Sequence, residues 1–242
     1  MSSEQASGAR VVDPFDLPAL LKEFDKYRRA WLSSGGDPEP FRMPLFSRNP
    51  AKRFVVKQKY RIVTSILKRT GPRGTALDFG PGFGAFLPVL STSHSRVTAV
   101  DIFPDQLAAS RGLCDHLGLK NVSVVQVRPL EELRNIASES VDTVMVTDVL
   151  EHVRHWQQTI EEINRICRPG ALVMVSIPRE HILYRMFARK EVEHDETRGH
   201  VYHSSEGADL LEERFKAVFR LVYFKSLYSF FHILVLRKPE SA

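Results

Sequence analysis

Cysteine is nearly absent from this sequence of 242 residues, which contains only Cys114 and Cys167. Two cysteines supply neither a disulfide framework nor a zinc cluster, and both lie in segments that we predict to be helical, as buried free thiols. Long apolar runs are absent too, since none approaches the ~20 residues that a helix needs to cross a bilayer. The first ten residues lack the apolar core of a secretory signal. These absences predict a soluble protein of a reducing compartment, the cytoplasm.

Acidic residues are missing from one long stretch near the amino end. Between positions 42 and 69 the chain has no Asp or Glu but nine basic residues, Arg42, Arg48, Lys52, Arg53, Lys57, Lys59, Arg61, Lys68 and Arg69. A stretch of one sign attracts anions, so nucleic-acid binding and peripheral contact with an anionic membrane both stay open. A solvated helix face is the interpretation that we favour, because aromatic residues are sparse there and no nucleic-acid motif accompanies it.

The hydropathy pattern divides the chain into an extension, 1–55, and one α/β domain, 56–242. Apolar residues at helical spacing predict helices over 17–32 and 50–68, separated by a segment rich in Ser, Gly and Pro. From position 75 onward, short apolar runs alternate with amphipathic helices. Strands are predicted at 75–79, 96–102, 122–127, 141–147 and 171–177, and helices at 83–90, 104–117, 130–137 and 156–167. This alternation is typical of a parallel sheet with helices on both faces.

The carboxyl end breaks this alternation. After a helix predicted at 205–215, two strands are predicted at 217–225 and 230–237, with only four residues between them. Strands joined so tightly pair antiparallel, because a parallel return needs a crossover of roughly a dozen residues. We therefore expect a mostly parallel sheet that ends in an antiparallel hairpin.

A glycine-rich loop carries the clearest chemical signal. Gly80, Gly82 and Gly84 follow the first predicted strand, and Asp78 precedes them by two residues. Asp101 ends the next strand, 21 residues after Gly80, where a carboxylate can accept hydrogen bonds from ribose hydroxyls. The spacing also fits an NAD fingerprint, but a carboxylate inside the first strand suits a cationic ligand group better than a pyrophosphate. The pattern predicts a cofactor that contains a nucleoside.

Several motifs resemble one family in their order along the chain. The segment 78–84, Asp-x-Gly-x-Gly-x-Gly, resembles motif I of class I methyltransferases that use S-adenosylmethionine (SAM). The segment 146–153, Val-Thr-Asp-Val-Leu-Glu-His-Val, resembles the part after the fourth strand in the methyltransferase family (type 11) that includes the ubiquinone-biosynthesis enzymes. The turn at 163–171 and Pro178 are similar to that family as well. The resemblance implies a Rossmann-like sheet of seven strands, the last inserted antiparallel.

The resemblance also implies a cofactor site. It places the loop residues Gly80, Pro81, Gly82 and Gly84 against the methionine part of SAM, with Asp78 supporting the loop or the ammonium group. Asp101 then binds the ribose, Ile102 lies against the adenine, and Asp148 lies beside the methionine moiety. Relatives often have an acid after the third strand, and this chain has none, so backbone groups of three residues are expected to recognise the adenine: Arg128, Pro129 and Leu130.

The acceptor side of the site is less specified. The sulfonium already activates the methyl group, so the enzyme mainly supplies positioning, a dry site and a base for a protonated acceptor. We expect that base among His152, His155, Glu151 and His200, the last in an insert at 179–204 that we predict to cap the acceptor. Glu151 and His152 also have a simpler interpretation, in which they only orient their loop. The spacing of the histidines in the insert is not that of a specific metal site, and no metal is predicted.

The sequence therefore predicts a SAM-dependent methyltransferase. Its acceptor is expected to be a small or medium-sized molecule, which can be anionic or linked to a lipid or glycan carrier, with oxygen as the methylated atom by analogy alone. Two alternatives remain open: an RNA methyltransferase that uses the basic stretch 42–69, and a catalytically silent SAM-fold module that serves as a binding protein.

Overall fold

The structure is a computed structural model, and it describes residues 12–71, 73–127, 133–178, 205–227 and 231–240. Six helices lie in these ranges: α1 (Leu17–Ser33), α2 (Pro50–Thr70), α3 (Leu87–Ser93), α4 (Pro104–Leu117), α5 (Trp156–Ile166) and α6 (Ser205–Val218). Seven strands accompany them: β1 (Arg73–Phe79), β2 (His94–Asp101), β3 (Val122–Gln126), β4 (Val141–Thr147), β5 (Cys167–Pro178), β6 (Arg220–Leu227) and β7 (Phe231–Arg237). Short 3₁₀ turns occur at Glu39–Phe41, Pro44–Phe46, Leu133–Asn135 and Leu150–His152.

The seven strands form one sheet in the order β3-β2-β1-β4-β5-β7-β6. The first five strands pair in parallel, whereas β7 lies antiparallel between β5 and β6. The predicted fold class, a mostly parallel Rossmann-like sheet with an antiparallel carboxyl-terminal hairpin, is confirmed. Because the parallel strands all point the same way, the loops after β1, β2 and β4 meet at one edge of the sheet.

Each face of the sheet carries its own apolar core. On one face Val97, Met145 and Val235 pack among helices α1 to α4. On the opposite face Val144 and Val173 pack with α5 and α6. Successive strand residues point to opposite faces, which explains why buried strands covered on both sides are apolar at nearly every position.

The amino-terminal extension shares the first of these cores. Phe24 of α1 meets Phe83 edge-on, with ring centroids 5.2 Å apart. The Tyr27 hydroxyl donates a 2.7 Å hydrogen bond to the carbonyl of Ala109 in α4. Phe41 also packs against Phe83. Because Phe83 lies within the glycine loop, the extension supports that loop from behind.

Some predicted boundaries were wrong. The helix expected at 83–90 is α3, Leu87–Ser93, because 82–86 are taken up by the turn of the glycine loop. Of the helix expected at 130–137, the described part contains only the 3₁₀ turn Leu133–Asn135. Cys167 begins β5 rather than ending a helix, although both cysteines are buried free thiols as predicted.

Candidate functional site

The glycine loop joins β1 to α3 through three left-handed residues. Gly80, Gly82 and Gly84 have φ values of +72°, +59° and +96°. A Cβ at Gly80 would lie 2.4 Å from Val149 Cγ2, so only glycine allows the segment after β4 to approach. A Cβ at Gly82 would meet nothing nearer than 3.8 Å, so its main chain borders open space that a ligand can enter. Pro81 lies between these two glycines.

Asp78 is a buried carboxylic acid in the strand that leads into the loop. The residue is 1% exposed, and within the described part of the chain neither carboxylate oxygen has a hydrogen-bond partner. Burial, with a smaller contribution from Asp101, raises the pKa of Asp78 to about 7. A buried acid without a partner is costly, and a cationic ligand would relieve that cost.

Asp101 ends β2 on the other side of the loop. Burial raises the pKa of its carboxyl group, against the opposing effect of backbone N–H groups of Phe103, Ile102 and Gly82. The N–H of Phe103 donates to the carboxylate at 3.0 Å. Ile102 follows directly and is 41% exposed, unusual for a large aliphatic side chain. A carboxylate beside an exposed apolar side chain suits a ligand with hydroxyls next to a flat ring.

Asp148 begins the segment after β4. Its φ of +55° is uncommon outside glycine, and Asp tolerates it better than most residues. The hydroxyl of Ser176 donates to one carboxylate oxygen at 2.5 Å, and the ammonium of Lys59 forms an ion pair with the other. Lys59 is buried and also lies 4.5 Å from the ring centroid of Phe231. The carboxylate is therefore held by two separate elements, α2 and β5.

Glu151 and His152 follow in the 3₁₀ turn Leu150–His152. Glu151 is 2% exposed, and its pKa is raised well above the usual value by burial and by the charge of Asp148, while Lys59 acts in the opposite direction. The side chain of His152 is 35% exposed, and its Nε2 lies 3.9 Å from Glu151 Oε1. The turn thus places an accessible imidazole in front of a buried carboxyl group.

The comparisons with known proteins agree on one family. Residues 77–175 match the model of the methyltransferase domain. A ubiquinone biosynthesis O-methyltransferase from Methylocella silvestris is 26% identical over 184 residues, covering 73% of this chain and 68% of that protein. An uncharacterised methyltransferase from Mycobacteroides abscessus is 31% identical over 103 residues, covering 42% of this chain and 39% of that protein.

Solved structures show the same fold. A SAM-dependent methyltransferase from Aquifex aeolicus has a TM-score of 0.53 at 21% identity, covering 72% of this chain and 88% of that one. The N-methyltransferase NodS from Bradyrhizobium japonicum, solved with S-adenosylhomocysteine, has a TM-score of 0.58 at 18% identity, covering 88% and 99%. The chain carries a class I SAM-dependent methyltransferase domain. The predicted family, enzyme class and cofactor are confirmed.

The methyltransferase domain brings most of the predicted site residues to one edge of its sheet. Asp78, Asp101, Asp148, Glu151 and His152 all lie at or just after the carboxyl ends of β1, β2 and β4, around the glycine loop, and we call this edge the catalytic edge. Arg128, Pro129, Leu130 and His200 lie outside the described residues, as does the capping insert 179–204, so their predicted roles stay predictions. Across the described residues no helix is long and apolar enough to cross a membrane.

Lys59 is a site residue that the sequence pattern did not single out. The sequence interpretation placed Lys59 among nine basic residues of a solvated helix face. In the structure its side chain is buried and paired with Asp148. The helical period contained a signal, because Lys59 lies three residues after Val56 and four before Val63, both on the buried face of α2. A lysine in register with an apolar face is a candidate for a buried ion pair.

Proposed function

We propose that the methyltransferase domain methylates a hydroxyl oxygen of a small or medium-sized acceptor. The observation that carries this proposal is the accessible imidazole of His152 in front of the buried Glu151, beside the ion pair of Asp148 and Lys59. A hydroxyl must lose a proton when it is methylated, and an imidazole on the rim of the site is suited to accept it. The O-methyltransferase name of the Methylocella relative supports oxygen over nitrogen.

The residues around the glycine loop fit SAM by charge and by space. SAM supplies an activated methyl group on a cationic sulfur. The unpartnered carboxyl group of Asp78 can receive the ammonium group, and the open side of Gly82, with Gly80, Pro81 and Gly84 around it, leaves room for the methionine part. We assign the ribose hydroxyls to Asp101, the adenine ring to Ile102 and the far side of the methionine part to Asp148.

The chemistry left to the protein is positioning and proton removal. His152 takes the proton of the acceptor hydroxyl, and the carboxyl group of Glu151 lies 3.9 Å behind its Nε2. Lys59 keeps Asp148 in place and limits the build-up of negative charge near Glu151. We expect acceptors that are anionic or linked to a lipid or glycan carrier, and the predicted insert 179–204 to cover them.

The test follows the transfer of a labelled methyl group from SAM to a panel of phenols, catechols and hydroxy acids. We expect label in a methyl ether, and His152→Ala to lower turnover by roughly 10²-fold or more at neutral pH. The loss should shrink at high pH, where the acceptor hydroxyl ionises without a base. His155→Ala is the matched control, because the backbone carbonyl of His155, which the substitution keeps, accepts a hydrogen bond from the N–H of Thr159 in α5.

Two results would contradict the proposal. The first is label found only in amine acceptors, which would make the domain an N-methyltransferase. The second is normal turnover of His152→Ala, which would leave His152 with a structural role. Calorimetry should show unchanged affinity for SAM in this variant, so that a loss of turnover reports on the acceptor side alone.

A further inference from the structure

Helix α4 carries a buried amide oxygen beside the glycine loop. It is Oε1 of Gln106, and within the part of the chain that the structure describes it has no hydrogen-bond partner. A buried acceptor without a partner costs free energy, because it has given up its hydrogen bonds to water. Such an atom at the border of a binding site is suited to a donor that arrives with the ligand.

The Gln106 oxygen borders the open space beside Gly82. It is the atom that a Cβ on Gly82 would meet first, at 3.8 Å. Ser110, one turn further along α4, donates its hydroxyl to the carbonyl of Gly82 at 2.6 Å. Residues four apart lie on the same side of a helix, so Gln106 and Ser110 both face the glycine loop. Gln106 as a whole is only partly buried, and the terminal torsion of a glutamine is broad, so the amide can turn toward a ligand while α4 stays in place.

The carboxylate of Asp101, on the other side of Gly82, has little capacity left for a ligand. The N–H of Phe103 donates to it at 3.0 Å, and the N–H groups of Ile102 and Gly82 also stabilise its charged form. A carboxylate has about four acceptor positions, so three N–H groups leave it with about one. A ribose brings two hydroxyl donors. When Asp101 accepts one of them, the other needs a second acceptor.

We propose that Gln106 binds one of the two ribose hydroxyls of the cosubstrate, so that Asp101 and Gln106 divide the diol between them. The amide oxygen accepts the O–H of one hydroxyl, and Asp101 accepts that of the other. Gln106 is then a specificity-determining residue, because a cosubstrate without that hydroxyl leaves the buried oxygen unpaired. This inference rests on the assignment of the ribose to Asp101 in the proposed function.

Other roles fit Gln106 less well. A glutamine that only stabilises the fold would use its amide on a neighbouring group, as Gln126 does when its Nε2 donates to the carbonyl of Ile102 at 3.3 Å. The ammonium group of the cosubstrate is a poorer partner for Gln106, because hydrogen bonds to a cation are stronger from a carboxylate than from an amide. The unpartnered carboxyl group of Asp78 is available for that cation.

The test is calorimetric titration of the full chain with S-adenosylhomocysteine and with its 2′-deoxy and 3′-deoxy forms. Gln106→Met keeps the length of the side chain and removes the acceptor, so it should bind S-adenosylhomocysteine roughly five- to tenfold more weakly, the size of one hydrogen bond. One deoxy form should bind equally well to the wild type and to Gln106→Met, whereas the other should still distinguish them. Gln157→Met, the same change at an exposed position of α5, is the control and should bind all three compounds as the wild type does.

Unfolding in urea without ligand separates binding from a structural role. Because Oε1 has no partner in the described part of the protein, Gln106→Met should be at least as stable as the wild type. The proposal is overturned if Gln106→Met binds S-adenosylhomocysteine as the wild type does, or if it weakens all three compounds by the same factor.

Asp101→Ala separates this inference from the assignment on which it rests. If that variant binds S-adenosylhomocysteine as the wild type does, the ribose assignment itself is wrong. If it binds more weakly while Gln106→Met does not, only the role of Gln106 is wrong.

Discussion

Asp78 is a buried carboxylic acid whose ionisation makes the stability of the fold depend on pH. Its folded pKa of about 7 lies above the usual 3.8, so the folded state keeps a proton that the unfolded chain releases. The folded state therefore binds more protons across this interval, and its stability falls as the pH rises from about 4 to about 7. The slope reaches at most about 1.4 kcal/mol per pH unit. Above pH 7 the loss is complete and the slope vanishes.

The matching prediction compares the wild type with Asp78→Asn, which cannot titrate. Urea unfolding between pH 5 and pH 8 should show the wild type losing stability relative to the variant as the pH rises, because only the wild type must bury a charge. SAM affinity should move the other way and increase with pH in the wild type only, since the ionised carboxylate attracts the cation. Parallel pH profiles for the two proteins would contradict this role for Asp78.

Gly80 and Gly82 offer a matched pair of alanine substitutions within the glycine loop. Both have positive φ, but a Cβ at Gly80 meets Val149 whereas one at Gly82 has no close neighbour. Gly80→Ala should cost more than the ~1–2 kcal/mol of a left-handed alanine, because the clash adds to the strain. Gly82→Ala should cost about that strain alone and should lower SAM affinity by narrowing the open side of the loop.

Urea unfolding and calorimetry on the two glycine variants separate these effects. If Gly82→Ala binds SAM as the wild type does, the cofactor does not lie against this part of the loop. If the two variants unfold at the same urea concentration, the close approach of Val149 does not decide the choice of glycine at Gly80.

At the scale of elements, α2 connects the extension with the catalytic edge. Its Lys59 forms the ion pair with Asp148. Lys59→Met removes that charge and leaves the partly exposed Asp148 without its ion-pair partner, so we expect a loss of about 1–3 kcal/mol in the free energy of unfolding. Lys57→Met, on the outward face of the same helix, should change it by less than about 0.5 kcal/mol.

The two lysine variants are compared by urea unfolding at neutral pH. Equal stability of Lys59→Met and Lys57→Met would mean that the ion pair contributes nothing to the fold. Recovery of stability when Asp148→Asn is added to Lys59→Met would show that the cost arises from the uncompensated carboxylate rather than from lost packing.

Helices and strands with a regular apolar pattern could be predicted from the sequence. Boundaries that depend on contacts with other parts of the fold could not. The strand 141–147 and the helix 104–117 match β4 and α4 because their apolar patterns are complete within each element. The first turn of the helix predicted at 83–90 is instead part of the glycine loop. The chain cannot be helical there, because Gly82 and Gly84 have positive φ. Cys167 belongs to β5 because it pairs with Val141 of β4, a partner that the local sequence pattern does not reveal.

The part of the candidate site that could be predicted from the sequence consists of motifs that directly follow predicted strands. The loop 78–84, Asp101 and the turn with Glu151 and His152 all follow strands in sequence, so their meeting follows from a parallel sheet. Lys59 comes from a helix 89 residues before its partner Asp148, and Ser176 from another strand, so their pairing depends on tertiary packing alone.

At the scale of the whole molecule, acidic and basic side chains lie on different parts of the fold. Carboxyl groups gather at the catalytic edge, where Asp78, Asp101, Asp148 and Glu151 lie at or just after the ends of β1, β2 and β4, whereas the outward side of α2 is basic. The extension joins both by packing Phe24 and Phe41 against Phe83 of the glycine loop. The acidic and the basic side chains are thus segregated on the fold.

Binding of SAM at the catalytic edge is tested most directly by calorimetric titration with SAM, S-adenosylhomocysteine and NAD in parallel. We expect both sulfur nucleosides to bind at one site per chain, NAD not to bind, and Asp101→Ala to weaken the binding of both sulfur nucleosides. Binding of NAD alone, or SAM affinity that is unchanged in Asp101→Ala, would contradict this assignment of the site.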